Sequence, residues 1–402
     1  MSNPITGKRI VLGVTGSIAA YKAADLASKL TQAGAEVDCI LTESASKFVS
    51  PLTFQSVTGR KAYVDSDLWG NEGHVVHISL GRAADLILIA PASANTMAKL
   101  AQGIGDNLLT VTVLAAECPL VIAPAMDAGM FGHSATQANV RRLTERGAYL
   151  IGPEPGRLAS GLIGKGRFTE PKDILGHLRV ILSQTGQLDN LKVMLTAGPT
   201  REKLDPVRFL TNPSSGKQGY EIAQALLDAG AEVTLVSGPT QIDPPIGVEL
   251  VSVSSSQDML EAVMEEISDQ DVFISVAAVA DFRPKKKSVE KIKKTGDSMT
   301  LELEATADIL MNVADWAKEN NPDLRLIGFA AETQDVIINA EGKLARKGLD
   351  LIIANDVSVE RTIFGGEENL VTFIYKDGVV RSYDWMNKYD VGEEIVRYLA
   401  EN

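Results

Sequence analysis

The chain has 402 residues, enough at roughly 100 to 200 residues per domain for two or three compact units and too many for one small binding module. With 45% hydrophobic and 23% charged residues it has the make-up of an ordinary folded enzyme, which excludes disorder as its main state. Its 39 lysines and arginines against 52 aspartates and glutamates leave a net charge of −13, which excludes general coating of nucleic acid.

Cys39 and Cys118 are the sole cysteines, each inside an apolar run and neither in a CxxC pair, so neither a disulfide framework nor a structural zinc site is expected. The first nine residues are too polar, and the apolar run after them too short, for a secretion signal. No apolar run approaches the roughly 20 residues of a membrane span. A cytoplasmic location follows as the expectation.

In chain order, residues 8–42 read as a strand, a glycine-containing turn, a helix with Ala19, Ala23, Leu26 and Leu30 on one face, and a second strand through Val37 to Leu41. Continuous apolar runs at Leu86–Ala90 and Leu120–Ala123, closed by Pro91 and Pro124, fit parallel strands covered on both faces. A helix from Ile174 to Leu182 leads into the polar stretch Gly186–Asn190, which reads as a boundary. A second β-α-β unit then starts at Lys192. The string Ala-Gly-Ala-Glu-Val closes its first helix at 229–233, as it closes the earlier one at 33–37, each glycine marking a helix end before a buried strand. The fold class is therefore α/β, two tandem Rossmann-like doubly wound domains, over 1–190 and 191–402.

Gly13-Val14-Thr15-Gly16-Ser17 lies between the first strand and helix, where backbone N–H groups and the helix dipole favour a phosphate. The third glycine of GxGxxG is missing, and no acidic residue ends the second strand before Glu43, so a mononucleotide fits better than a dinucleotide. A plain strand-to-helix turn explains this loop equally well. Pro91–Thr96 and Pro124–Met130 lie just past strand ends, where open α/β sheets place ligands; His77 is a base or a merely packed histidine.

In the second half, Asn212–Gly219 lacks the first glycine and the final hydroxyl of a Walker loop, leaving a Ser/Gly-rich loop that opens a helix. Asp281 falls at a strand end, where a carboxylate can orient magnesium on a triphosphate. Arg283, Lys285, Lys286, Lys287, Lys291, Lys293 and Lys294 concentrate seven positive charges within twelve residues, a solvated loop, a local nucleic-acid patch or a lid over a triphosphate. Lys343 and Lys347 share a helix face.

Gly16–Lys22, His77-Ile78, Pro91–Thr96 and Pro124-Ala125-Met126 with Met130 together resemble the flavin-dependent cysteine decarboxylases. The resemblance implies a flavodoxin-like N-terminal domain in which FMN is held by Gly16, Ser17, Thr42, Ser93 and Asn95. It implies His77 as the catalytic histidine and Met126 and Asp127 as substrate contacts. Two positions depart from the family pattern. Asp127 stands where the family has a carboxylate-binding asparagine, and Ser160, in the Gly156–Arg167 flap, stands where it has a cysteine proton donor.

Thr196–Glu202, Asp205–Phe209, Asn212–Gly219, Ala277–Arg283, Gly328–Thr333 and Ala354-Asn355-Asp356 resemble the phosphopantothenate–cysteine ligases, and both halves in this order resemble the bifunctional bacterial coenzyme A biosynthesis flavoproteins. That resemblance implies a CTP site at Ser275, Val276, Ala277, Asp281, Lys291, Ala307, Asp308, Ile309, Leu310, Phe329, Lys343 and Lys347. Mg2+ would sit on Asp281. Arg208, Asn212 and Ala278 would face an acyl-cytidylate, with Asn212 and Lys291 taking catalytic roles. The implied substrates are 4′-phosphopantothenate, cysteine and CTP, and the product amide would then lose its carboxylate with flavin as the electron sink. A homo-oligomer is implied as well, the flavin domain trimeric and the ligase domain dimeric, with a dodecamer as the larger assembly. Two rival readings stand beside this one: an NAD(P)-dependent oxidoreductase, and a ligase whose flavin-binding half is not catalytic.

Overall fold

Arg9–Val14 (β1) is buried along nearly its whole length, as a strand covered on both faces must be. In the computed structural model, which describes residues 3–69, 75–183, 186–294, 299–332, 334–356 and 366–402, it is followed by Ala20–Gln32 (α1), whose Ala20, Ala23, Leu26, Ala27 and Leu30 are buried at helical spacing. Then come Glu36–Leu41 (β2), Pro51–Thr58 (α2), Ala62–Val64 (β3), Val76–Ala83 (α3), Leu86–Ala92 (β4), Ala94–Gln102 (α4), Leu108–Leu114 (α5) and Leu120–Pro124 (β5). Ala128–Gly132 (α6), Ser134–Glu145 (α7), Tyr149–Leu150 (β6), the hairpin Glu154–Arg157 (β7) and Ile163–Arg167 (β8), and Pro171–Ser183 (α8) complete the first half. Its six strands run parallel in the order β3-β2-β1-β4-β5-β6. Within the doubly wound class this is the Rossmann order; flavodoxin-like sheets run 2-1-3-4-5, because there the chain crosses over one strand earlier. The crevice lies where β1 meets β4.

The second half repeats the plan with Lys192–Ala197 (β9), Arg201–Lys203 (β10), Phe209–Thr211 (β11), Lys217–Asp228 (α9), Glu232–Ser237 (β12), Glu249–Ser252 (β13), Ser256–Glu266 (α10) and Val272–Ser275 (β14). It continues through Phe282–Pro284 (β15), Leu303–Ala305 (β16), Ile309–Asn320 (α11), Arg325–Glu332 (β17), Val336–Lys347 (α12), Leu351–Asp356 (β18), Glu368–Asn369 (β19), Val371–Tyr375 (β20), Val380–Ser382 (β21), Met386–Asn387 (β22) and Lys388–Glu401 (α13). The main sheet runs β13-β12-β9-β14-β17-β18-β20-β21, with the last two strands antiparallel. Each sheet has an apolar cluster on either face, as a central layer between helices requires.

Residues 2–182 and 183–402 form separate compact units. The polar stretch 186–190 packs within the second. Leu188 is buried there and its N–H donates to the Ala229 carbonyl at 2.9 Å. The repeated helix ends behave alike, Gly34 at φ 91° and Gly230 at φ 92°, a region that a residue with a Cβ avoids. Among the described residues no helix is long and apolar enough to cross a membrane.

Candidate functional site

In the first unit, the loops after β1 and β4 are clamped together by one hydroxyl. Thr15 Oγ1 donates to the Pro91 carbonyl at 2.7 Å and accepts from the Ser93 N–H at 2.8 Å. Ser93 then caps α4, its Oγ accepting from the Thr96 N–H at 3.3 Å. A Cβ at Gly16 would lie 2.5 Å from Ser44 Cβ, so this turn is pressed against the loop that follows β2. Thr42, buried at that strand's end, accepts from the Ala45 N–H at 3.2 Å. The strand ends thus bring Gly16, Ser17, Thr42 and Ser93 to one edge, while Asn95 lies exposed on the first turn of α4.

Beside them opens a cavity of about 410 Å³ whose wall includes Ser17, Tyr21, Lys22, Met126, Asp127 and Ser160. The β7–β8 hairpin forms its far side. Gly166 joins that hairpin to the loop after β5, its carbonyl accepting from the Met126 N–H at 3.1 Å, and a Cβ there would strike the Met126 carbonyl at 2.2 Å. At the hairpin tip Ser160 Oγ donates to Asp127 Oδ2 at 2.8 Å, and Asp127 also caps α6 by accepting from the Gly129 N–H at 2.9 Å. The Ser160 hydroxyl, helped by that N–H, holds the Asp127 carboxyl below the usual carboxylate range, so it is charged at neutral pH. Across the cavity Lys22 Nζ pairs with Glu170 at 2.8 Å, and Arg167 binds the same carboxylate. His77 does not line this cavity. It lies in the first turn of α3, and its Nδ1 is buried without a partner among the described residues.

In the second unit the loop after β14 is held by hydroxyls from the end of β9 and the loop that follows it. Thr196 Oγ1 accepts from the Val276 and Ala277 N–H groups at 3.2 Å each, and Thr200 Oγ1 from the Ala280 N–H at 3.0 Å. Asn212 Nδ2 adds a bond to the Ala278 carbonyl at 2.9 Å. Thr306 ties Asp281 and Ala280 to the start of α11, donating to their carbonyls at 2.9 and 2.6 Å through its N–H and its Oγ1. A cavity of about 160 Å³ lies between this loop and the start of α9, walled by Val276, Ala277, Ala278 and Phe329 together with Gly198, Ser214–Gly219, Asn355, Asn369 and Lys388.

Two family models match the chain: Flavoprotein over residues 1–182, and the DNA/pantothenate metabolism flavoprotein C-terminal domain over residues 188–402. The coenzyme A biosynthesis bifunctional protein CoaBC of Bacillus subtilis is 46% identical over 399 residues, covering 98% of this chain and 97% of its own. The chain belongs to this family of bifunctional coenzyme A biosynthesis enzymes. The CoaBC protein of Escherichia coli K12 is 42% identical over 380 residues, 93% of this chain and 92% of its own. Among solved structures, a CoaBC C-terminal domain is 44% identical, covers 54% of this chain and 97% of its own, and has a TM-score of 0.46. A PPC decarboxylase mutant complexed with pantothenoylaminoethenethiol is 37% identical, covers 44% of this chain and 98% of its own, and has a TM-score of 0.41.

Of the coenzyme A family positions expected at the second site, Ser275, Arg208, Asn212, Asp281, Lys291, the 307–310 segment, Lys343 and Lys347 lie outside the cavity wall. Neither Lys343 nor Lys347 is a bare solvent-face charge. Lys343 pairs with Glu332 at 2.6 Å and Lys347 with Asp308 at 2.7 Å, which fastens α12 to β17 and to the N-cap of α11. In the basic stretch, Arg283 and Lys285 are matched across the β15–β16 hairpin by Glu304 and Glu302. Lys291 is exposed, and no carboxylate partners it among the described residues.

Asp205 organises the loop that carries Arg208. It accepts from the Val207 and Arg208 N–H groups at 2.8 Å each, from the Ile292 N–H at 3.1 Å, and from the Arg208 guanidinium at 2.6 Å. Arg208 in turn donates to the Ile292 carbonyl at 2.6 Å, so the basic segment hangs on this one carboxylate. Burial pushes the Asp205 carboxyl up, but the N–H groups and the Arg208 guanidinium outweigh it and leave it far below the usual range. The native value lies below the unfolded one, about 3.9, so this stabilisation is complete above about pH 4 and is lost as pH falls through the native value. Limited proteolysis of the 204–208 loop is therefore expected only in strong acid for the unmodified chain, and already at neutral pH for Asp205→Asn. Ligase turnover of that variant should fall roughly 10- to 100-fold, the scale of a misplaced positioning group.

Proposed function

We propose that residues 191–402 join cysteine to 4′-phosphopantothenate at the expense of CTP, and that residues 1–190 decarboxylate the resulting 4′-phosphopantothenoylcysteine to 4′-phosphopantetheine with FMN. The observation that carries this reading is one cavity per unit at the C-terminal ends of parallel strands, in a chain that aligns with bifunctional coenzyme A enzymes over 98% of its length.

In the ligase unit the acid's carboxylate oxygen attacks the α-phosphorus of CTP, forming an acyl-cytidylate and expelling pyrophosphate. The amine of cysteine then displaces CMP to give the amide. Ser275–Ala277, Ala307–Leu310, Phe329, Lys343 and Lys347 would seat the nucleotide, and Lys291 would approach the departing charge from the basic segment. Arg208, Asn212 and Ala278 would hold the acyl group. Among the described residues no three His, Cys, Asp or Glu side chains cluster, so a Mg2+ would be held by phosphate oxygens with Asp281 as the protein carboxylate.

In the flavin unit the residues fit FMN. The buried His77 Nδ1 has no protein partner among the described residues, and Gly16, whose added Cβ would overlap Ser44, lets the turn after β1 close on the loop after β2. Gly16, Ser17, Thr42, Ser93 and Asn95 would hold the phosphate end. When bound, FMN supplies a reversible two-electron oxidation of the substrate's thiol-bearing carbon, which makes loss of the carboxylate feasible. His77 would take the proton lost in that oxidation. Met126 and the flap would enclose the substrate, with Ser160 and Asp127 facing it. Gly16→Ala should lose most of its flavin, read as the yellow absorbance per mole of purified protein, because the new Cβ overlaps Ser44. Flavin content equal to that of the unmodified chain would remove Gly16 from the cofactor's cradle.

The reading is tested by mass analysis of the product made from CTP, Mg2+, cysteine and 4′-phosphopantothenate. Release of CMP and pyrophosphate with a decarboxylated thiol is expected; absence of CMP rejects the ligase half. The trimeric and dimeric contacts proposed for the two units are checked by mass in solution.

A further inference from the structure

At the floor of the second cavity lies a lysine for which the fold alone gives no reason. Lys388 is the first residue of α13, where the helix dipole disfavours a cation, and it is only 3% exposed. Its ammonium has no hydrogen bond or ion pair among the described residues. The carboxylates acting on it are Glu367, which Lys217 already engages, and Glu221, and burial together with the Lys217 charge pushes its pKa down. A lysine enclosed this far, with no carboxylate in contact with its ammonium among the described residues, is expensive, and a methionine of similar shape would pack there without that cost.

What surrounds the ammonium suits an incoming anion. Gly216, at φ 81°, is the N-cap of α9 on the same wall and has no side chain to cap it; Ser215 Oγ, accepting from the Lys217 N–H at 3.3 Å, is the side-chain acceptor at the helix start. Gln218 holds Lys388 in place, its Nε2 donating to the Lys388 carbonyl at 3.0 Å while its Oε1 accepts from Asn369 Nδ2 at 2.6 Å. Asn369 is itself 3% exposed, and its Oδ1 and that of Asn355 are buried on this wall without partners among the described residues. These two acceptors want donors, such as ligand hydroxyls, beside the oxyanion.

We propose that Lys388 is a ligand-binding residue of the second cavity, its ammonium pairing with a phosphoryl oxyanion of the bound reactant. The inference rests on the ligase reading and adds a contact to it. Two reactants carry that group, the nucleoside triphosphate and the phosphate monoester of the acid.

The test uses the full chain with Lys388→Met, Lys388→Gln and Lys388→Arg. Pyrophosphate and inorganic phosphate serve as probes, followed by calorimetric titration and by thermal shift. The unmodified chain should be stabilised by pyrophosphate. Lys388→Met and Lys388→Gln should fold, melt no lower without anion, and bind pyrophosphate at least tenfold more weakly; Lys388→Arg should recover most of the affinity. A raised KM for CTP alone assigns the ammonium to the nucleotide, and a raised KM for 4′-phosphopantothenate alone assigns it to the monoester. Pyrophosphate, CTP and 4′-phosphopantothenate binding unchanged in both neutral variants overturns the proposal. So does unfolding of both without anion, which would give the ammonium a structural role. Pyrophosphate binding is read without turnover, so an unmodified chain that releases no CMP sinks the ligase reading separately.

Discussion

Replacing Ser160 with cysteine is expected to raise formation of the saturated, decarboxylated thiol at least tenfold over the unmodified chain, with CMP release unchanged. The last step of the proposed decarboxylation needs a proton delivered to carbon from the flap. An ordinary thiol titrates near 8.5, and a serine hydroxyl is a far weaker acid. Here that hydroxyl is also committed, since it donates to Asp127 at 2.8 Å and the carboxylate it serves is charged. A thiol would be both a better acid and a poorer partner for Asp127. Asp127→Asn should add to the gain, because the site would then present an amide instead of a negative charge to the substrate's carboxylate. Mass analysis separates the unsaturated thiol from the saturated one. Equal yields from Ser160→Cys and the unmodified chain would mean that the proton comes from elsewhere, and that the Ser160–Asp127 contact serves to keep the flap closed.

Lys291→Gln is expected to lower the rate of CMP release by on the order of 10²-fold, as loss of one group that stabilises transition-state charge does, with little change in melting temperature. The structure gives this prediction its shape. Lys291 is exposed and pairs with no carboxylate among the described residues, while its neighbour Ile292 is bound on both its N–H and its carbonyl, to Asp205 and Arg208. The backbone is therefore placed and the side chain is left available. Lys285→Gln is the control, because Lys285 is already matched by Glu302 at 2.6 Å and its loss should change the rate less than twofold. Unchanged turnover in Lys291→Gln would show the basic segment to be a solvated loop.

Much of the architecture was legible from local pattern. Buried strands such as Leu86–Ala92 read as continuous apolar runs, and Gly34 and Gly230 end their helices for the reason that makes glycine recognisable in a sequence. The loops at 13–17, 91–96 and 196–200 were equally visible, because a strand end followed by a helix start places them at the ligand edge whatever the rest of the chain does. The strand order was not visible, since it depends on which crossover the chain takes.

The sites divide along the same line. Residues within a turn of a strand end, such as Ser93 and Ala277, could be found by position because the C-terminal end of a parallel strand is the ligand edge of such a sheet. The pairings that decide the chemistry span long separations: Asp127 with Ser160, Asp205 with Ile292, Gln218 with Lys388. Lys388 left no mark in the sequence at all, because a lysine opening a C-terminal helix looks like any surface lysine until α13 is packed against α9. Periodicity and turn chemistry are local, so the chain's order of letters specifies its strands, helices and loop positions. Burial and charge pairing arise between segments far apart in that order, so the lowered pKa of Asp127 and the isolation of the Lys388 ammonium exist only once the chain has folded.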